Sequence, residues 1–417
     1  MTNWQEVKLG EICTIIDGDR GKNYPKSNEL QPQGYCLFLN TKNVPDNKFN
    51  FSECTFISKD KDELLGKGKL NYGDIVVTTR GTLANFAYYT KKCIYNKIRI
   101  NSGMVILRNE NKDLCTHYLY HFLISNNFKQ QVQSLATGSA QPQLPIKDMK
   151  NIIMNLPPID IQKKIAGVLG ALDDKIELNN RINNNLEQQA QALFNEKILN
   201  NPKQGCIGDY CSIKSGFAFK SSWWQNSGVR VIKIKNIESS ELNLHECSYV
   251  SEDKISIAKD FVVKGGDLLI AMTGATIGKF AIVPHVDEIL LVNQRVGKFF
   301  LGDKPLEKLP FIYCTLKQPE VVSEIINRGQ GSAQPNISGN DIMSITCTYP
   351  DENIIANFNN ICRPYFEKII MNQYENTRLS ALRDTLLPKL MSGEIDVSNV
   401  DISALTSADK LSFNEGE

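Results

Sequence analysis

Ile159–Phe194 reads IDIQKKIAGVLGALDDKIELNNRINNNLEQQAQALF, and the placement of its apolar residues decides the fold. Ile161, Ile165, Val168, Leu172, Ile176, Ile182, Leu186 and Leu193 recur at steps of three and four, which puts them on one face of a helix. Pro157 and Pro158 stand just before it, where a missing N–H costs a helix nothing. Asn200, Asn201 and Pro202 stop it. At about 1.5 Å per residue this is a rod of roughly 50 Å, too long to be buried in one small domain. Its seam runs nearer 3.5 than 3.6 residues per turn, which predicts that it wraps against another helix.

That second helix lies in the same chain. A shift of 193 residues carries Ile161, Ile165, Val168, Ile176, Leu186 and Leu193 onto Ile354, Phe358, Ile361, Ile369, Leu379 and Leu386. The same shift carries Asn179 onto Asn372, both at seam positions. A seam asparagine costs stability, is satisfied best by another asparagine, and so fixes register. Pro364, standing where the first helix has Ala171, predicts a kink or a late helix start.

The repeat extends through the rest of the chain. LGEICTIIDG at Leu9–Gly18 matches IGDYCSIKSG at Ile207–Gly216, and Lys42-Asn43-Val44 matches Lys235-Asn236-Ile237. Gly73-Asp74-Ile75 with Arg80-Gly81-Thr82 matches Gly266-Asp267-Leu268 with Thr273-Gly274-Ala275, and Asn101 pairs with Asn293. GSAQP occurs at Gly138–Pro142 and again at Gly331–Pro335. Within each copy, Tyr35–Leu39, Ile75–Thr79, Val229–Ile234 and Leu268–Met272 read as strands between turn residues. Leu114–Val132 and Leu309–Ile326 read as helices. The predicted fold is α+β: two repeated domains with mixed sheets, 1–155 and 202–350, separated by two long antiparallel coiled-coil helices, 156–201 and 351–396, with pseudo-two-fold symmetry. A polar, acidic tail, 397–417, is expected to be disordered.

Composition bounds the function. The chain has 417 residues, 41% hydrophobic and 22% charged, with a net charge of +1. Residues 1–155 carry 20 Lys and Arg against 14 Asp and Glu, a balance compatible with a nucleic-acid partner but too weak for binding by charge alone. No run of 18 apolar residues exists, and MTNWQEVKLG does not read as a signal peptide. Eleven cysteines, without a CxxC pair or cysteine–histidine metal spacing, point to a reduced, cytoplasmic protein.

A strand-rich module, GSAQP, a PP-led helix, a second diverged module, a second long helix and then LPKLMSGEI at Leu387–Ile395 together resemble the specificity subunit of a type I restriction–modification enzyme. The resemblance covers nearly the whole chain, and the order of motifs is more specific than any one of them. It implies two target-recognition domains, each reading one half of a bipartite DNA site, with the helices as spacer. It also implies that the helices dock two DNA adenine methyltransferase subunits, which recruit motor-nuclease subunits. S-adenosylmethionine, ATP and Mg are then expected on those partners, and this chain has no active site of its own.

Base readout calls for Arg or Lys toward guanine and Asn or Gln toward adenine, on loops that reach a groove. The candidates in the first module are Arg20, Lys22, Lys42, Asn43, Thr79, Arg80, Asn101 and Gln141. In the second they are Lys220, Lys235, Asn236, Thr273, Lys279, Asn293, Gln294, Arg295 and Gln334. Asn43, Asn101 and their counterparts could equally cap turns. Gln141 and Gln334, identical in both copies, suit a shared scaffold or methyltransferase contact. The pairs that differ carry specificity better: Arg80 opposite Thr273, and Ser102-Gly103 opposite Gln294-Arg295.

Signatures of catalysis are weak. Asn155-Leu156-Pro157-Pro158 resembles a methyltransferase strip but for its leucine, and serves as a helix entry. There is no P-loop and no G-x-S-x-G elbow. Pro350-Asp351-Glu352 lacks a following Glu-x-Lys and suits a helix start. His117 and His121 lie four apart but lack the glutamate of HExxH, so they read better as a surface or core pair than as a metal site. Two other functions stay open: a standalone DNA-binding protein without methyltransferase partners, and a coiled-coil scaffold whose modules bind proteins.

Overall fold

Leu268–Ala271 and Ile75–Thr78 are continuous apolar runs, and a strand without polar alternation must be covered on both faces. The computed structural model, which describes residues 4–138, 142–238, 241–330 and 335–402, shows how each is covered. The chain divides into two units, Met1–Asp173 with Ala381–Glu417, and Asp174–Ser380. The division passes through both long helices, where the sequence suggested boundaries at their ends.

In the first unit an antiparallel sheet runs in the order Thr14–Asp17, Met104–Arg108, Ile75–Thr78, Phe86–Tyr88. Alternate residues of a strand face opposite ways. Accordingly Ile75, Val77, Val105 and Leu107 pack on Tyr118, Phe122, Phe128, Ile165, Leu169 and Leu387, while Val76 and Ile106 pack on Leu37, Leu39, Ile98 and Ile100. Those last four belong to a smaller sheet, in which Cys36–Leu39 pairs antiparallel with Phe56–Ile57 and parallel with Ile98–Ile100. Gln5–Lys8 and Ile153–Leu156 close the module as a two-stranded ribbon.

The second unit repeats this topology. Its large sheet runs Ser212–Ser215, Val296–Phe300, Leu268–Ala271, Phe280–Ile282. Leu268, Ile270 and Phe299 face Phe194, Phe311, Phe358 and Phe366, and Leu269 and Ala271 face Ile232, Leu290 and Val292. Val229–Ile232 and Leu290–Val292 are again the parallel pair, and Gln204–Cys206 with Thr346–Thr348 again the closing ribbon. Gly18 and Gly216 show why the copies keep a glycine at this point. A Cβ would lie 2.2 Å from the carbonyl oxygen of Asn101 at the first and 2.4 Å from that of Asn293 at the second.

Each predicted module helix is two helices. Thr116–Ile124 and Asn126–Leu135 meet at Ser125, whose hydroxyl accepts a bond from Phe128 N at 3.3 Å and starts the second. Leu309–Leu316 and Pro319–Gly329 are likewise parted at Lys317-Gln318, because Pro319 opens the next helix.

The first long helix spans Ile159–Phe194 and ends in a π-helical turn, Asn195–Leu199. The second spans Glu352–Met391, so it does not start late and continues through Pro364. Pro364 and Asn360, the residue whose carbonyl has no N–H to accept from at Pro364, are both exposed. Within the second unit the two helices run antiparallel, with Asn183 beside Asn372 and Phe194 against Phe358. Ile165, Phe358, Ile369, Asn179 and Asn372 are buried seam residues. Ile161, Val168, Leu172, Ile176, Leu186, Leu193, Ile354, Leu379 and Leu386 are half-buried. Ile361 is not in the seam: it is 37% exposed, because Phe358 and Cys362 take the inward positions on either side of it.

The tail departs from expectation. Val397 is buried and Val400 half-buried in the core of the first unit, and Ile402 lies against Gly167. Val397 and Val400 supply apolar anchors that the acidic composition conceals, while residues 403–417 lie outside the described chain. Among the described residues no helix is long and apolar enough to cross a membrane.

Candidate nucleic-acid interface

The C-terminal ends of four strands meet in each unit, and their loops carry most of the predicted site. In the first unit Asn101 N donates to Leu39 O at 3.0 Å and Thr79 N to Gly103 O at 2.8 Å. Arg20 Nη2 donates to Ser102 O at 3.2 Å while its Nε pairs with Asp17 at 3.1 Å. A Cβ on Gly103 would stand 3.1 Å from Thr41 Cγ2 and 3.9 Å from Arg80 Cβ. Arg20, Thr41, Arg80, Asn101 and Ser102 are thus gathered around one small glycine-lined patch. Lys22 and Lys42 are exposed beside it, and Lys42 borders a cleft of about 980 Å³ lined also by Gln33, Thr41, Glu53 and Tyr95.

The second unit closes its loops through the same backbone bonds. Asn293 N donates to Ile232 O at 2.9 Å and Met272 N to Arg295 O at 3.0 Å, and this unit adds a bond from Gln294 N to Phe217 O at 2.9 Å. Gln294 and Arg295 are exposed, as are Lys220, Lys235 and Lys279. Lys235 makes a loose contact with Glu246, at 4.0 Å. Asn293 and Thr273 are half-buried.

Three predicted readers are turned inward. Asn43 is buried, with Nδ2 donating to Asn50 O at 3.0 Å and Glu53 O at 2.8 Å and Oδ1 accepting from Asn40 N at 3.0 Å. Asn236 repeats this, bonded to Asn243 O at 3.0 Å and Lys233 N at 2.9 Å. Both hold a loop together, the turn-capping role that asparagine serves well. Thr79 is 3% exposed and contributes backbone bonds to Gly103 and Leu144. Gln141 and Gln334 lie outside the described residues. The backbone just after the first GSAQP string and at the end of the second nevertheless returns to this end: Arg80 bridges Gln143, and Gly274 N donates to Pro335 O at 2.9 Å.

The weak catalytic candidates have structural work. Pro157 O accepts from Gln162 Nε2 at 2.7 Å and Asn155 O from Tyr118 at 2.8 Å, which fixes the helix entry. Asp351 pairs with Lys203 at 2.8 Å, at the start of the second long helix. His121 is buried, and burial pushes its pKa down to about 3.

Sequence reading missed a cluster in the second unit. Trp223 and Trp224 follow Lys220, and Lys233 Nζ stands 3.6 Å over the ring of Trp224. Basic residues interleaved with an aromatic pair, KSSWW at Lys220–Trp224, were the available signal.

The model of the type I restriction modification DNA specificity domain matches this chain twice, over residues 1–188 and 201–358. The chain belongs to that family, the specificity subunits of type I restriction–modification systems. The type I restriction enzyme MjaVIII specificity subunit of Methanocaldococcus jannaschii is 24% identical over 96% of this chain and 94% of its own. The HindI specificity subunit of Haemophilus influenzae is 24% identical over 95% of this chain and 100% of its own. The crystal structure of a type I system S subunit from M. genitalium shares the fold, with a TM-score of 0.55 at 16% identity, covering 93% of this chain and 96% of that one.

Proposed function

We propose that each unit presents its four-loop end to one half of a bipartite DNA site, and that the chain is the non-catalytic subunit around which the enzyme assembles. One observation carries the reading: the same loop end is built twice from the same backbone bonds, but with different side chains at its surface. Arg80 faces one site where Thr273 stands in the other, and Ser102-Gly103 becomes Gln294-Arg295. A common backbone suits a common way of docking on a duplex, and different side chains suit half-sites that differ in sequence. The exposed Lys22, Lys42, Lys220 and Lys279 add contacts to phosphate.

In this reading the long helices set the gap, since a helix advances a fixed 1.5 Å or so per residue. They also dock two DNA adenine methyltransferase subunits, and motor-nuclease subunits join through these. S-adenosylmethionine, ATP and Mg belong to the partners, as does the pocket that takes the adenine out of the stack. The eleven free cysteines support a cytoplasmic setting.

The test is methylome sequencing of a host expressing the chain with its modification subunit, before and after deleting one matched heptad from each helix, Asn179–Asn185 and Asn372–Arg378. The expected result is methyladenine in a two-part motif whose gap shortens by about three base pairs, from roughly 10 Å of helix and 3.4 Å per base pair. A soluble complex that methylates no motif would overturn the reading. An unchanged gap would remove the helices from it.

A further inference from the structure

We infer that Lys220 and Lys233, mounted on Trp223 and Trp224, form a phosphate clamp in the second unit that holds the DNA backbone beside the bases met by Gln294 and Arg295. The inference rests on the DNA-reading role proposed above.

The two tryptophans are half-buried and braced from within the loop. Phe217 lies nearly parallel to Trp223, at 6.2 Å and 10°, and Phe219 packs at 5.6 Å from Trp224. Lys233 Nζ sits 3.6 Å from the centroid of Trp224, and Lys220 Nζ 5.5 Å from that of Trp223. Lys254 also covers Trp223, at 4.8 Å, but its charge is taken by Asp253. Among the described residues no carboxylate lies within ion-pair distance of Lys220 or Lys233, whereas Lys235 has Glu246. The cluster adjoins the reading end directly, since Phe217 O accepts the backbone bond of Gln294 N and Ile232, just before Lys233, accepts that of Asn293.

This chemistry suits phosphate better than a base. An ammonium over an indole is positioned by the ring quadrupole while its N–H groups stay free, and the occupied face is closed to base stacking. Burial, and then Lys235, hold the pKa of Lys233 below its ordinary value. An arriving anion relieves that like-charge conflict. In the first unit Asn40 occupies the position equivalent to Lys233 and spends its side chain on capping Lys42 N at 2.9 Å. The clamp therefore belongs to one half-site.

The experiment is Lys233→Asn, which installs the residue that the first unit uses on the same local backbone, with Lys233→Arg as the charge-preserving control. The complex of full chain and modification subunits is titrated with two duplexes, one carrying the wild-type methylated motif and one scrambled, over a range of salt. Lys233→Asn is expected to weaken both duplexes equally, by several-fold, and to reduce the slope of log K against log salt by about 0.9. The methylated motif should stay the same, and Lys233→Arg should keep the wild-type slope. An unchanged slope in Lys233→Asn, a changed second half-motif, or loss of the slope in Lys233→Arg would each overturn the clamp. Absence of any methylated motif for the wild type would bring down the DNA reading itself, which separates the two failures.

Discussion

Asn372 Nδ2 donates to Asn183 Oδ1 at 2.7 Å, and the shift of 193 residues turns this pair into Asn376 and Asn179, bonded at 2.9 Å. The seam asparagines of the sequence repeat, Asn179 and Asn372, therefore each donate to an asparagine, but not to each other, and the Oδ1 of each stays buried without a partner among the described residues. Each reaches one turn along the partner helix, and the two bonds are images of one another. Glu375 joins the layer by accepting from Asn179 at 2.8 Å while pairing with Lys175 at 3.4 Å.

A buried amide left alone keeps its desolvation cost, whereas an apolar pair has none. Asn372→Leu should therefore destabilise the protein by about 1–3 kcal/mol, because it strands Asn183, which is 8% exposed. Adding Asn183→Leu should recover most of that loss and weaken the choice of register. Urea midpoints check the first statement, and cysteine cross-linking at neighbouring seam positions checks the second. A double variant no more stable than the single one would refute this account of the layer.

Arg99 and Asp62 form a second arrangement with a functional consequence. Arg99 is 5% exposed and grips Asp62 through Nε, with Nη2 on Asp62 O and Nη1 on Lys67 O, both at 2.7 Å. Burial alone would raise the pKa of Asp62, but Lys69 and Arg99 outweigh it and hold the carboxyl below its usual range. A depressed acid stabilises the fold above its unfolded pKa of about 4 and loses that contribution as pH falls through the folded value. Arg99→Met should cost about 1.5–3 kcal/mol, because Asp62 keeps Lys69 at 2.7 Å but loses the charge-assisted bond from the buried guanidinium. Arg99 belongs to the strand that delivers Asn101, so surviving protein should lose precision at the first half-motif only. Thermal melts and methylome sequencing read the two effects.

The repeat, the main strands of the modules and the long helices were legible because they rest on hydrophobic period and on turn glycines, which are local in sequence. The second helix shows the limit of that method. Ile361 fits the seam spacing and yet is exposed, because one residue of a helix turns 100° and Cys362 was the better inward choice. The site was legible only as loops. Asn43 and Asn236 have the composition of adenine readers, and only burial reveals that their amides are spent inside the turn. Lys233 was invisible for the opposite reason, since its partner Trp224 is brought to it by the fold.

His121 makes the first unit sensitive to acid. It is fully enclosed on the helix Thr116–Ile124, and burial, then His117 and Arg383, push its pKa down to about 3. Between pH 6.5 and about 3 the unfolded chain binds a proton that the fold does not. Stability should thus be complete above pH 6.5 and fall by roughly 1.4 kcal/mol per pH unit below it. His121→Phe should flatten that slope. Urea unfolding at pH 7 and pH 5 decides, and identical pH dependence in the variant would refute the assignment.

Arg80 and Arg295 are the pair on which the division of labour between units can be tested. Arg80 is half-buried at the first loop end, with its backbone bridged to Gln143, and Arg295 is exposed at the second, with its carbonyl bound to Met272 N. A guanidinium that reads guanine by two parallel bonds contributes about 1–3 kcal/mol of discrimination against the wrong base. Arg80→Ala should therefore relax one position of one half-motif by roughly tenfold or more, and Arg295→Ala one position of the other, with the gap unchanged in both. Contacts to phosphate alone would instead weaken methylation at all sites together. Methylome sequencing of the two variants separates these outcomes. If either variant altered both halves of the motif, the assignment of one half-site to each unit would fail.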